Sequence, residues 1–367
     1  MRLLPTDSLI PGVRLGKSIK NERGHILLYE GVKLSERMIL RLKELNIPFV
    51  YIHDPKTKHI NPGKSISERL RKEAIKTIED TFSDLQNKDF LSNSLVIEKA
   101  SRRFTGLIRD ILIEIRGNQE LLTLLADIYT YDNYIFTHSF NVTLYSLAIG
   151  TELKLKPKQM ETLGLGAILH DVGKILVPVD ILMKPGKLTE EEFTEIKKHS
   201  ETGFQIIRNV HTVPLLVAHC AYQHHERLDG SGYPRGLAGD DIHYFGKIIA
   251  VADVFDAVTS NRVYRSALLP HEGLEILYAG SGIQFDRKVV EAFRRAVAIY
   301  PNGLGVKLND GRKGIVSRQN RGCSDRPVIE ILEENGQPIA DTYEVDLEIY
   351  THLLIADCDT ANSKINQ

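Results

Sequence analysis

The sequence predicts a mainly α protein. A helical bundle carries the chemistry, with a small α+β unit before it and a small β appendage after it. Three observations predict this. Residues 65–116 place apolar side chains at helical spacing among many charges. Residues 131–300 contain a series of more apolar helical segments. After residue 300 the pattern becomes short β-type runs separated by turns. The expected division is residues 1–60 (N-terminal α+β), 61–130 (helical linker), 131–300 (bundle), 301–358 (β appendage) and 359–367 (tail).

In the N-terminal unit, Leu9, Val13, Leu15, Ile19 and Ile26–Tyr29 form short apolar runs broken by Pro11-Gly12, Asn21–Gly24 and Gly31, which predicts strands and turns. Ser35–Leu45 reads as an amphipathic helix, with Ser35 as cap and Met38, Ile39, Leu42 and Leu45 on its apolar face. Phe49–Ile52 is a closing strand, and Asp54–Lys64 a polar linker. Ser65–Leu85 and Ser94–Arg116 are long amphipathic helices. Such helices need a covering face. The domain itself or a second protomer can supply it, and core packing is the expected use. In the last segment, Val306–Leu308, Gly314–Val316, Val328–Leu332 and Leu353–Ile355 read as strands. Asn309-Asp-Gly311 and Glu334-Asn-Gly336 read as hairpin turns.

The chain of 367 residues has 42% hydrophobic and 26% charged residues and a net charge of -1. These values are ordinary for a water-soluble protein and give no bulk attraction to nucleic acid or membrane. Cys220, Cys323 and Cys358 are scattered, which argues against a disulfide framework or a thiolate zinc site. Cys220 reads as a small core residue. The N-terminus has no signal-peptide pattern. The longest uncharged stretch, Asn133–Thr151, is too polar for a membrane span and reads as a buried helix. The expected location is the cytoplasm.

The bundle is organised around Ala167-Ile-Leu-His-Asp-Val-Gly-Lys174. Leu163, Gly166, Ala167 and His170 fall on one side of a helix, and Gly173 reads as its C-terminal stop. An imidazole and a carboxylate therefore sit side by side where an apolar helix ends. These are ligand types for hydrolytic divalent metals, and Lys174 can hold a phosphate oxygen. Four further sites repeat the theme. His138 lies in an apolar helix. His199 lies on a helix opened by a Thr189–Glu192 capping box. His224-His225 end another helix. Asp253, with Asp256 three residues on, lies in the apolar stretch Ile248–Val258, where an unpaired carboxylate is costly. Five such sites on five successive helices point to a polynuclear metal centre, because bundles build metal sites from facing helices. The glycine-rich segment His225–Pro234 reads as a loop that approaches a ligand closely.

With His170-Asp171-x-Gly173-Lys174 followed by His224-His225-Glu226-x-x-Asp229-Gly230-x-Gly232-Tyr233-Pro234, the chain resembles the HD-GYP family of HD-domain phosphohydrolases. The resemblance also takes in Val177-Pro178, Lys184–Thr189 and the segment from Ala252 to Arg265, and runs across roughly residues 132–300. It implies an HD-type helical bundle, an iron or manganese centre, and hydrolysis of cyclic di-GMP to pGpG and in some members on to GMP. Carried over by position, His138, His170, Asp171 and Asp253 hold one metal. His199, His224 and His225 hold the second, and Asp171 bridges. A hydroxide shared by the two metals is the expected nucleophile.

Lys174 is expected to neutralise charge on the phosphoryl oxygens. Arg262 and Arg265 resemble phosphate-binding positions. Tyr233, with Gly232 and Pro234, is expected to shape the guanine pocket. Asp256 is expected either to orient a metal-bound water or to support a ligand histidine. Where some members carry a glutamate for a third metal this chain has Tyr134, which predicts two metals. Ile135, Ser200, His243 and Val263 also depart from the family pattern, near the site but not at its ligands. Two other readings stay open: a phosphohydrolase for another cyclic or linear nucleotide, and a non-catalytic binding or adaptor module. Expected partners are a cyclic dinucleotide, signalling proteins and a second protomer through the linker. DNA binding and membrane insertion are not expected.

Overall fold

A computed structural model of the chain describes residues 1–21, 25–45, 47, 49–62, 66–86, 90–117, 128–130, 134–184, 186–260, 268–320 and 322–359. The expected mainly α class holds: long helices make the centre of the molecule and small sheets lie at the chain's two ends.

The first helix, α1 (Glu36–Glu44), begins where expected, with the Ser35 side chain accepting the Met38 amide. The linker helices are α2 (Glu68–Gln86) and α3 (Phe90–Gly117). The bundle follows as α4 (Tyr134–Glu152), α5 (Pro157–Leu169), the short α6 (Val179–Leu182), α7 (Glu190–Arg208), α8 (Leu215–Gln223), α9 (Tyr244–Thr259), α10 (Pro270–Ala279) and α11 (Arg287–Ala296). Two apolar clusters hold it. One joins α2 and α3 to α4, α5, α7 and α8 through Ile78, Phe82, Phe104, Ile108, Phe140, Leu169 and Val217. The other joins α4, α5, α8 and α9 to α10 and α11 through Tyr145, Leu163, Ile249, Phe255 and Phe293. The amphipathic faces of α2 and α3 are thus covered by the bundle itself. Arg71 of α2 lies 5.0 Å above the Phe140 ring, and Phe82 meets Phe136 edge-on at 5.8 Å.

In the N-terminal segment β1 (Arg2–Pro5) pairs antiparallel with β4 (Phe49–Ile52). A second small sheet runs β3-β2-β5, with β2 (Ile19–Asn21) antiparallel to β3 (Ile26–Leu28) and parallel to β5 (Ile128–Thr130). In the C-terminal segment β6 (Gly305–Leu308), β7 (Lys313–Arg318), β8 (Val328–Glu334), β9 (Gln337–Asp346) and β10 (Ile355–Cys358) form one antiparallel sheet in the order β10-β6-β7-β8-β9. Asn335 and Gly336 both take positive φ, which the β8–β9 hairpin requires. The two terminal segments share one core: Leu3, Leu15, Val50 and Tyr51 pack with Leu304, Val316, Ile329 and Ile331. The Leu3 amide donates to the Gly303 carbonyl at 2.8 Å, and the Tyr51 hydroxyl to the Asn302 carbonyl at 3.1 Å.

Among the described residues no helix is long and apolar enough to cross a membrane. From Tyr134 on, the uncharged stretch up to Thr151 instead supplies α4, whose polar residues Thr137, Ser139, Thr143 and Ser146 are buried in the bundle.

Candidate metal centre

Asp171 sits just past the end of α5, where the chain leaves the helix for a tight turn, Val172–Leu176. Gly173 is not the expected helix stop: α5 ends at Leu169, and His170 still has right-handed helical backbone. Gly173 is required by packing instead. A β-carbon there would lie 2.0 Å from the His199 carbonyl oxygen and 2.7 Å from the Gly203 amide nitrogen. The turn after α5 therefore lies directly on α7, which seats His199 beside Asp171. Gly166 does similar work between helices, since its β-carbon would meet the Cys220 sulfur at 2.5 Å.

The candidate side chains converge on Asp171. Its Oδ2 faces His138 Nε2 at 3.5 Å and His170 Nε2 at 3.4 Å. Its Oδ1 faces His199 Nε2 at 3.3 Å and His224 Nε2 at 3.7 Å. Asp253, from α9, approaches His138 Nε2 at 3.0 Å and His225 Nδ1 at 3.6 Å. Two groups able to hold a cation result: His138, His170 and Asp171, and Asp171, His199, His224 and His225. Asp171 belongs to both. All seven side chains are buried except that of His225, which is part-buried.

The outer nitrogens of four imidazoles are committed. His170 Nδ1 lies 2.7 Å from the Ala167 carbonyl, His199 Nδ1 2.5 Å from that of Ile196, and His224 Nδ1 2.9 Å from that of Ala221. A carbonyl only accepts, so each Nδ1 carries a proton and each Nε2 faces inward. His138 Nδ1 faces Asp256 Oδ2 at 2.6 Å. Asp256, expected also among substrate contacts, is buried. Its Oδ1 accepts from Asn141 at 2.9 Å and Ser260 at 3.1 Å. Its geometry favours support of His138.

The electrostatics of the cluster report the same crowding. Burial works against charge on His138, but Asp253 and Asp256 overcome it and raise the imidazole to about 9. Burial pushes His199 down to about 3 and His225 well below its ordinary value. Burial also opposes charge on Asp171, yet His170 and Lys174 hold its carboxyl well below the usual range. Lys174 Nζ donates to Asp171 Oδ2 at 2.5 Å. Among the described residues His170 Nε2 and Asp171 Oδ1 are buried without a hydrogen-bond partner. Buried polar atoms of this kind call for an occupant, and nitrogen and oxygen donors in this set fit a divalent cation.

The loop after α8 forms the wall beside His225. Tyr233 stacks on the His225 ring at 4.5 Å and 30°. Gly232 is closed in by its own loop: a β-carbon would lie 2.5 Å from the His225 carbonyl oxygen, the Glu226 α-carbon and the Arg227 nitrogen. Glu226 is buried and accepts the amides of Arg235 and Leu237, each at 2.9 Å. Asn141 was not singled out from sequence, and Glu226 was quoted there only as part of the motif, with no role of its own. Asn141 stands one turn after His138 in an apolar helix, which is a readable signal for a buried partner. Glu226 follows His225 directly, but nothing in its spacing shows that it ties the loop. His243 is the side-chain cap of α9, accepting the Phe245 amide at 3.0 Å. Arg262, Arg265 and Val263 lie outside the described residues, as do Pro185 and the side chain of Tyr134.

A family model for the HD domain matches residues 116–289. Among curated relatives, a cyclic di-GMP phosphodiesterase of Pseudomonas aeruginosa is 37% identical over 216 residues, covering 59% of this chain and 52% of the relative. A cyclic di-GMP phosphodiesterase of Thermotoga maritima is 36% identical over 230 residues, covering 62% of this chain and 60% of the relative. A 3'3'-cGAMP-specific phosphodiesterase of Vibrio cholerae is 36% identical over 169 residues, covering 46% and 36%. The chain thus spans between 36% and 60% of the length of these relatives. Among solved structures, an HDG"Y"P protein from Bdellovibrio bacteriovorus superposes with a TM-score of 0.50 at 19% identity, covering 79% of this chain and 97% of that one. That likeness concerns the fold.

Proposed function

We propose that residues 116–289, which match a family model for the HD domain, form a domain of the HD-GYP type, and that the chain is a metal-dependent phosphodiesterase. The substrate in this reading is cyclic di-GMP, and the product is pGpG, or GMP when the second bond is also cut. One observation carries the proposal: the two oxygens of Asp171 face two different sets of histidines. That is the arrangement a carboxylate shared by two cations needs. The ligand set is His138, His170, Asp171 and Asp253 on one side and His199, His224 and His225 on the other. The ions are iron or manganese.

A pair of divalent cations supplies a water-derived nucleophile at neutral pH and polarises the phosphoryl oxygens. The chain's own residues do the rest. The committed Nδ1 protons of His170, His199 and His224 fix their rings, and Asp256 fixes His138. Lys174, tethered to Asp171 and part-buried, brings a positive charge to the same point, where it meets the negative charge that grows on the equatorial oxygens. Hydrolysis breaks the bond between phosphorus and the 3′-oxygen, which leaves as a hydroxyl while the phosphate stays on the 5′-oxygen. Tyr233 and Pro234 line the base pocket beside His225.

A second reading is favoured by a specific observation: relatives named as specific for 3'3'-cGAMP match at 36–41% identity, in the same range as those named for cyclic di-GMP. A side-by-side assay of metal-loaded protein on the two cyclic dinucleotides tests both. Faster turnover of cyclic di-GMP supports the first reading and faster turnover of 3'3'-cGAMP the second. Loss of either activity in Asp171→Ala ties it to the centre.

A further inference from the structure

The helix that carries His199 also carries Phe193 and Lys197, six and two residues earlier, both beside Tyr233. Phe193 meets the Tyr233 ring edge-on at 6.3 Å, and 44% of its surface is exposed. Lys197 Nζ lies 4.6 Å from the Phe193 centroid and 5.6 Å from that of Tyr233. Tyr233 in turn stacks on His225. The centre, His225, Tyr233 and then the Phe193–Lys197 pair therefore form a continuous series outward from the metal groups.

Lys197 differs from three neighbouring lysines. Lys174 is bound to Asp171, Lys184 to Glu192 and Lys198 to Glu195. Among the described residues no carboxylate pairs with Lys197, and it is only part-exposed. Its charge is held over two aromatic faces, which attract a cation without neutralising it. A cation kept unpaired beside a phosphodiester-cleaving centre is a place for a second anion.

A cyclic dinucleotide has two phosphodiesters, only one of which reacts at a time. We propose that Lys197 receives the phosphate that is not being cut, and that Phe193 is the wall that holds the lysine and that half of the substrate at the mouth of the site. This rests on the cyclic dinucleotide reading above. It makes Lys197 a residue that selects two-phosphate cyclic substrates over simple diesters.

The test uses the metal-loaded chain, cyclic di-GMP, and bis(p-nitrophenyl) phosphate, a diester with a single phosphate. In Lys197→Met the ratio of kcat/KM for cyclic di-GMP to that for the simple diester falls about ten-fold, through KM more than kcat, as expected for one lost charged contact. Lys197→Arg restores most of it. Binding of a hydrolysis-resistant phosphorothioate analogue of cyclic di-GMP weakens by a similar factor in Lys197→Met, with bound metal unchanged. An unchanged ratio and unchanged binding overturn the proposal, and so does an equal fall on both substrates. If the unaltered protein cleaves the simple diester but neither cleaves nor binds any cyclic dinucleotide, the substrate reading itself falls, and the subsite with it.

Discussion

Asp256 shows how much of the proposed centre is built outside its ligands. It is buried, it holds His138 at 2.6 Å, and it is itself held by Asn141 and Ser260. Replacing such a carboxylate typically lowers metal affinity or activity by about 10–100-fold. Asp256→Asn is therefore expected to lose metal on dialysis that the unaltered protein withstands, while its helical circular dichroism is kept. Full metal retention and full turnover would remove Asp256 from the account. Cysteine reactivity tests the packing at the same scale. Burial pushes the thiols of Cys220 and Cys358 up to about 12, and only the thiolate reacts. Raised values mean less thiolate at any given pH, so both stay unreactive to a thiol reagent at pH 8 and react once denaturant is added. Rapid labelling of Cys220 in the native protein contradicts the packing of α5 on α8. The residue types and order of the candidate ligands were legible in the sequence because imidazoles and carboxylates in apolar helices stand out. Of the supports, Asp256 was legible as a partner for a ligand histidine and Asn141 stood at a readable spacing from His138, but Glu226 was not legible, because it acts through backbone contacts that spacing alone does not show.

Gly173 is the best example of an element whose sequence signal was read for the wrong reason. A glycine after an apolar helix suggests a left-handed cap, yet this one is needed because the turn lies on the backbone of α7. A backbone atom cannot swing aside as a side-chain tip can. Gly173→Ala is therefore expected to cost roughly 3 kcal/mol or more, at the upper end for overpacking, and to lower metal content together with stability. Urea unfolding checks it, and an unchanged midpoint would show that α7 can move away freely. Elsewhere strong local patterns fixed the elements. Ser35 and Thr189 cap α1 and α7 as expected, and the Asn335-Gly336 turn joins β8 to β9. Weak patterns hid the rest. In β1, Arg2 and Pro5 obscure the apolar signal, and its pairing with β4 closes over nearly fifty residues. In β9, polar residues fill an exposed strand that has little burial to announce it. The last strand lies at Ile355–Cys358, starting two residues later than the apolar run Leu353–Ile355 that predicted it.

At the scale of the whole molecule, the helices around the centre also carry the linker. α2 packs on α4, the helix of His138, through Phe82, Phe136, Arg71 and Phe140. The mainly α class and the position of the bundle were legible from periodicity. The common core of the first and last segments was not, since it joins Leu3 and Tyr51 to Leu304 and Ile329 across about 250 residues or more of chain, and no local pattern reports such a contact. The central claim is that seven imidazole and carboxylate groups from five places in the chain hold a pair of cations about Asp171. Metal quantification on protein purified without oxygen tests it most directly. The account predicts close to two iron or manganese ions per chain, falling to one or fewer in Asp171→Ala with the helical fold retained. A metal-free native protein that takes up no iron or manganese when supplied, or an Asp171→Ala variant that keeps a full complement, would contradict it.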